Sequence, residues 1–260
     1  MTIYQYTNIE ALAYILKNRT IRFHRLDKVD DVEEGNAESL GVKFCKYVFV
    51  SCWTEVEEEN IPLWKMYGGD KEGVRIGLEQ KMFKEYSVSF VEGGQAKIPL
   101  KDWGNPNFFF LPNMNYDNDF FYRKIKYVDD VYSYTKDAIQ ERNNMIYNIE
   151  TGKFGRYKHK RWEFQNESRF VLYAFPINPY INGNNPNISA IVAQSFKNNM
   201  PLPFEDYYMH INDEAFENME ITLSPLATEA QRIIVECLKE RYAPKAQIKP
   251  SSLGKLVRLK

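Results

Sequence analysis

The sequence predicts an α+β fold, a single mixed domain of strands with flanking helices. Short apolar runs such as KYVFVSCW and VRIGL read as buried strands, while segments near both ends combine a cap with helical spacing. Internal repeats and low-complexity tracts are lacking, and 260 residues are enough to bury a substantial core.

In chain order, Thr7-Asn8-Ile9-Glu10 fits a capping box. Ile9, Leu12, Ile15 and Leu16 follow at helical spacing, predicting a helix over about residues 8–18. TIRFHRL alternates: as a strand it puts Ile21, Phe23 and Arg25 on one face and Arg22 and His24 on the other. Residues 46–53 and 74–78 are the next strands. Residues 92–120, interrupted by Gly93, Gly94, Pro99, Gly104, Pro106 and Pro112, predict a long loop or lid. YRKIKYV resumes strand character, a helix is expected over about 133–150, and RFVLY is a strand followed by the Asn/Pro-rich loop INPYINGNNPN. A strand over Met219 to Leu223, a helix started by Thr228 and running to Tyr242, and a short final strand complete the chain.

Composition narrows the function. The formal net charge of -1 argues against a generic nucleic-acid binder, so such a role needs a local patch. Cys45, Cys52 and Cys237 are odd in number and irregularly spaced, and with only three histidines they suggest neither a disulfide framework nor a zinc site. MTIYQYTNIEAL lacks the basic start and apolar run of a signal peptide, and no segment approaches a membrane span, so the expected location is cytoplasmic. No phosphate-binding glycine loop or nucleophile elbow is present.

What remains is a set of polar residues at strand edges: Arg25, Ser51, Gln165 and Glu167. Each has an ordinary structural reading. Arg25 has partners in the acidic run Asp27 to Glu34, Ser51 can be a satisfied strand hydroxyl, and Glu167 can form an ion pair with Arg169. Their order, an arginine on an early strand, a serine on a later one and then (Gln or Glu)-x-Glu, resembles the ADP-ribosyltransferase superfamily. The resemblance implies a split β-sheet core, NAD as substrate and no metal. It implies that Arg25 grips the NAD phosphates, Ser51 orients Glu167, Glu167 stabilises the ribose as nicotinamide leaves, and Gln165 directs the acceptor.

Over almost its full length the chain also resembles a widespread bacterial family of unknown function. The similarity lies in IYQYTNIEALAYILKNRTIRF, HRLDKVDDVEEG, SCWTEVEEENIPLWKMYG, GVRIGL, KRWEFQNESRFVLY and ITLSPLATEAQRIIVECL. The sequence departs from that pattern at Val32, where a proline is usual after Asp31, and at Gln165, where an acid is expected.

The chemistry is consistent with these residue types. Cleaving the N-glycosidic bond of NAD develops an oxocarbenium ion that a fixed carboxylate stabilises. An arginine fork suits the pyrophosphate. Tyr6 with Thr7, Trp53, Trp64 and Tyr67 lie in motifs able to wall the rings, although Trp64 and Tyr67, three apart, equally suit a plain core face.

The segment KFGRYKHKR carries Lys153, Arg156, Lys158, Lys160 and Arg161 interleaved with Phe154 and Tyr157, and RKIKY extends it if the two meet. It reads either as a contact for RNA or single-stranded DNA or as a solvated loop. The resemblance therefore implies an NAD-dependent ADP-ribosyltransferase of a macromolecule, RNA or single-stranded DNA before protein, and by analogy a toxin or phage-defence effector with a neutralising antitoxin protein as partner. The rival readings are an inactive binding module for nucleic acid or protein and an NAD-degrading hydrolase.

Overall fold

The computed structural model describes the chain apart from residues 70–71, 90–93, 112–113, 115, 117–118, 144, 178–187, 255 and 258–260. The loop expected after the RFVLY strand, from residue 178 onward, and the start of the expected lid, to residue 93, lie outside the described residues.

The chain opens with strand β1 (Thr2–Asn8), helix α1 (Ile9–Asn18) and strand β2 (Thr20–Arg25). The cap of α1 is Asn8, whose side chain accepts from Ala11 N at 2.8 Å, rather than Thr7. Thr7 belongs to β1, paired with Val74. Arg19 ends the helix in the left-handed region, φ 53°, and donates to Ile15 O.

After the short helix α2 (Val32–Gly35) come β3 (Val48–Thr54), α3 (Ile61–Tyr67) and β4 (Gly73–Glu79). Next are β5 (Tyr86–Ser89), β6 (Gln95–Ile98), β7 (Phe108–Phe110), β8 (Tyr122–Lys124), β9 (Lys126–Val128) and α4 (Val131–Thr135). The expected 92–120 loop or lid contains two short strands, β6 and β7. β7 pairs with a later strand, Phe108 and Phe110 are buried in the main core, and Leu100 joins them.

The helix expected over 133–150 is also replaced. Beyond α4, β10 (Ile139–Arg142) and β11 (Met145–Ile149) pair antiparallel. Asn143, at φ 52°, supplies the left-handed residue that a tight hairpin turn requires.

The chain continues through β12 (Tyr157–His159), a 3-10 turn (Lys160–Gln165) and the long buried strand β13 (Glu167–Pro176). It ends with α5 (Ile188–Lys197), β14 (Asp206–His210), α6 (Asp213–Glu217), β15 (Glu220–Leu223), α7 (Glu229–Tyr242) and β16 (Gln247–Lys249). Thr228 caps α7 reciprocally with Gln231.

The fold is therefore a mixed α+β arrangement around one large sheet, ordered β14-β2-β3-β1-β4-β15-β16. β3 is the branch point. One edge pairs with β13 from Val48 to Thr54; the other is shared, with β2 bound at Val50 and Phe49 and β1 only at Thr54. β1 and β2 diverge from that shared edge, with α1 joining them, and a cleft opens between them.

The two faces of β3 and β13 bury separate clusters. Phe49, Trp53, Phe170 and Leu172 join the main core, while Val48, Val50, Val171 and Tyr173 join a second one. α3 is set against the start of β4 by two glycines: a Cβ on Gly73 would meet Gly68 Cα at 2.8 Å and Gly68 O at 2.9 Å. Gly73→Ala should force these backbones apart and lower stability by about 1–3 kcal/mol, the usual cost of overpacking. A urea midpoint equal to the wild type would count against this close approach.

Candidate functional site

β13 begins with a residue that the strand pattern buries and that carries a charge. Asn166, in the left-handed region at φ 43°, closes the 3-10 turn and starts β13 at Glu167. The main chain of Glu167 is fully engaged: its N–H donates to Tyr127 Oη at 2.8 Å and its carbonyl accepts from Ile125 N at 2.9 Å. Side chains two apart on a strand share a face, so Glu167 and Arg169 point the same way.

They meet in a buried four-charge row. Arg169 Nε donates to Glu167 Oε1 at 2.7 Å, and Arg169 Nη1 to Glu34 Oε1 on α2 at 2.5 Å. Lys158 Nζ on β12 donates to Glu167 Oε2 at 2.9 Å and to Gln165 Oε1 at 2.7 Å. Gln165 Nε2 in turn donates to Tyr67 Oη at 2.9 Å. None of Glu34, Lys158, Gln165, Glu167 and Arg169 is more than 5% exposed. The two carboxylates and two cations balance, the condition under which charges are tolerated in an interior.

Burial pushes the Glu167 carboxyl up, but Arg169 and then Lys158 outweigh it and hold the group down at about 2, ionised at any physiological pH. In Glu34 burial wins over Arg169 and its pKa is raised. Burial, followed by the charge of Glu167, raises the Cys52 thiol and keeps it protonated.

This row forms one end of a cavity of about 730 Å³ in the cleft between β1, α1, β2 and β3. That volume suits a small-molecule ligand. Its walls include Tyr6 and Thr7 from β1, Tyr14 from α1, Arg22 and His24 from β2, Tyr67 from α3 and Tyr208 from β14. Among the described residues, none between 95 and 120 lines it.

The cavity therefore brings together Glu167, Gln165, Lys158, Tyr6, Thr7 and Tyr67 of the residues the sequence singled out, and Ser51 and Trp53 border it along β3. Others are placed elsewhere. Arg25 lies on the β2 face of Ile21 and Phe23, opposite Phe49, and is held by Asp27 at 2.6 Å and Glu205 at 3.1 Å. Arg22, one alternation away, is the β2 arginine that lines the cavity.

Ser51 pairs with Phe170 whereas Glu167 pairs with Thr54, so the alternation of β3 points the Ser51 side chain to the opposite face from Glu167. Its hydroxyl accepts from Trp53 Nε1 at 3.0 Å and does not orient Glu167. Trp53 borders the cavity along its strand, but its ring packs edge-on to Phe170. Trp64 is fully buried behind Tyr6, edge-on with ring centroids 4.9 Å apart.

The basic segment does not form one patch. Lys158 is buried on Glu167, and the others each face an acid: Lys153 with Glu150 at 3.1 Å, Arg156 with Asp119 at 3.2 Å, Lys160 with Asp129 at 2.8 Å and Arg161 with Glu33 at 3.9 Å. RKIKY does meet it, through the β9–β12 pairing, but Arg123 is buried and Lys124 binds Glu55 at 2.5 Å.

The sequence reading missed Glu34, Arg22 and the union of Lys158 with Glu167. The E-x-R spacing of Glu167 and Arg169 was the available signal for a shared face. Among the described residues, no group of three His, Cys, Asp or Glu side chains is placed to hold a metal, and no helix is long and apolar enough to cross a membrane.

Residues 63–170 match a family described as a protein of unknown function (DUF2971). That stretch is less than half of the chain, shorter than the likeness expected from the motifs, and it contains Tyr67, Lys158, Gln165, Glu167 and Arg169. No curated protein and no solved structure matches the chain.

Arg169→Met leaves two buried carboxylates short of a partner and should destabilise the fold by about 3–5 kcal/mol in urea unfolding. Glu167, lowered in the folded state to about 2 from about 4.3 unfolded, contributes stability above the unfolded value that is lost as pH falls through the folded one. The stability difference between wild type and Glu167→Gln should therefore be constant above about pH 5 and close toward about pH 2. A gap independent of pH would contradict an ionised Glu167.

Proposed function

We propose that the cavity binds NAD and that the chain is an ADP-ribosyltransferase acting through Glu167. The observation that carries the reading is a permanently ionised carboxylate, fixed by two cations, at one end of a ligand-sized cavity with tyrosine walls. Loss of nicotinamide leaves positive charge on the ribose, and a carboxylate already oriented in a water-poor site stabilises that charge without reorganising. Cys52, whose thiol is a weak donor, lines the same cavity beside Glu167, and a ribose hydroxyl would take its place at the carboxylate.

Gln165 has its amide oxygen on Lys158 and its amide nitrogen on Tyr67, so its part is to hold Lys158 against Glu167 as well as to face the acceptor. In this reading Arg22 takes the phosphate-gripping role expected of Arg25, since it is the one on the cavity side.

Hydrolysis is the second reading. The dispersal of Lys153, Arg156, Lys160 and Arg161 onto separate acids favours water or a small acceptor over RNA or single-stranded DNA. A toxin or phage-defence role with an antitoxin partner rests on the family resemblance.

Purified protein incubated with labelled NAD should release nicotinamide, and Glu167→Gln should lower the rate by about 10²-fold or more while its near-ultraviolet circular dichroism stays native. Label carried to RNA, DNA or protein identifies a transferase, and free ADP-ribose alone identifies the hydrolase. No nicotinamide release from wild type in any of these mixtures overturns the reading in favour of a binding module.

A further inference from the structure

Most of the aromatic rings among the described residues are buried, but two that line the cavity are exposed. Tyr14 on α1 is 60% exposed and Tyr208 on β14 is 51% exposed. Tyr208 sits directly opposite Arg22 in the β2–β14 pairing, so their side chains share a face, and Arg22 lines the same cavity.

Sheet geometry sets how far this group lies from Glu167. From β13 through β3 and β2 to β14 there are three strand steps, and Arg22, two residues before His24, is level with Cys52, one two-residue step from the row of Thr54 and Glu167. β2 parts from β3 beyond His24, so Arg22 and Tyr208 lie two and three strands from Glu167 at more than the paired spacing of about 4.8 Å per strand. The cavity is therefore lined by a carboxylate on β13, a cation on β2 and exposed rings on β14 and α1.

We propose that Tyr14 and Tyr208 form the subsite for the adenylate half of a dinucleotide, stacking on the purine, with Arg22 donating to its phosphate. This rests on the NAD reading for the Glu167 end but is carried by separate residues. Arg22 is held in place by its neighbours: its Nε donates to Asp206 Oδ1 at 2.8 Å and one terminal nitrogen lies 2.8 Å from His24 Nδ1. Its side chain is still 52% exposed. Stacking tolerates any base, so the rings supply affinity while the cation fixes the direction in which the dinucleotide lies.

The test is calorimetric titration of AMP, ADP-ribose and nicotinamide mononucleotide into wild type, Tyr14→Ala, Tyr208→Ala and Tyr208→Phe. Both tyrosines are exposed, so the variants should fold. Wild type should bind AMP and ADP-ribose, each alanine variant should bind them about tenfold more weakly, Tyr208→Phe should match wild type, and binding of nicotinamide mononucleotide should not change. The subsite is overturned if wild type binds neither AMP nor ADP-ribose, if the alanine variants bind them as wild type does, or if Tyr208→Phe loses as much as Tyr208→Ala.

The two readings fail separately. The expected pattern without nicotinamide release from NAD leaves the subsite standing and removes the cleavage; nicotinamide release with unchanged affinities in both alanine variants does the reverse.

Discussion

The buried row Glu34–Arg169–Glu167–Lys158 is the constraint on which the rest of the site depends. Removing an ion from water costs several kcal/mol even in a relaxed protein, so none of the four tolerates burial without its neighbours. They come from β12 and β13, neighbours in the chain, and from α2, more than a hundred residues earlier. Satisfying their charges therefore fixes how those segments pack. Replacement by apolar side chains of similar volume is often neutral or stabilising in proteins, so the row is poorly explained as a device for stability. It is better explained as a means of keeping one carboxylate ionised in a place that would otherwise neutralise it.

The cavity follows from a second constraint, the divided edge of β3. A strand edge offers one row of hydrogen-bonding groups, and here β2 takes one end of that row and β1 the other. The two partners then part, and α1 joins them as they separate. The gap opens beside the β13 end that carries Glu167, because β13 pairs along the whole opposite edge of β3. Aromatic side chains divide accordingly. Among the aromatic rings on the cavity walls, Tyr6, Tyr14, Tyr67 and Tyr208 combine a flat face with a hydroxyl, while Phe170 packs into the core.

Strand parity turns two residues with the right chemistry away from Glu167: Arg25 lies off the cavity, and Ser51 borders it only along its strand. Ser51 and Arg25 belong to the expected strands, but each points to the face that buries Phe49 and Phe23. The alternation of TIRFHRL already paired Arg25 with Ile21 and Phe23, so the sequence contained the reason that Arg22 rather than Arg25 lines the cavity. For Ser51, parity along β3 was readable but its relation to Glu167 was not, because it depends on the register between β3 and β13.

By itself the sequence determined the α+β character, the strands at TIRFHR, VFVSCW, VRIGL and RFVLY and the capped helix after Thr228. These are local: hydrophobic period, cap chemistry and residue type act over a few neighbours. Only the tertiary structure decided that Lys158 leaves its basic neighbours to become a buried partner of Glu167, that Glu34 closes the row from a distant part of the chain, and that Trp64 supports the cavity wall from behind. The hairpin over 139–149 belongs with them, since residues able to continue a helix pair as strands once the Asn143 turn is set. Charge pairing and strand register act between segments distant in sequence, and a pattern read along one chain carries no information on which distant groups will meet.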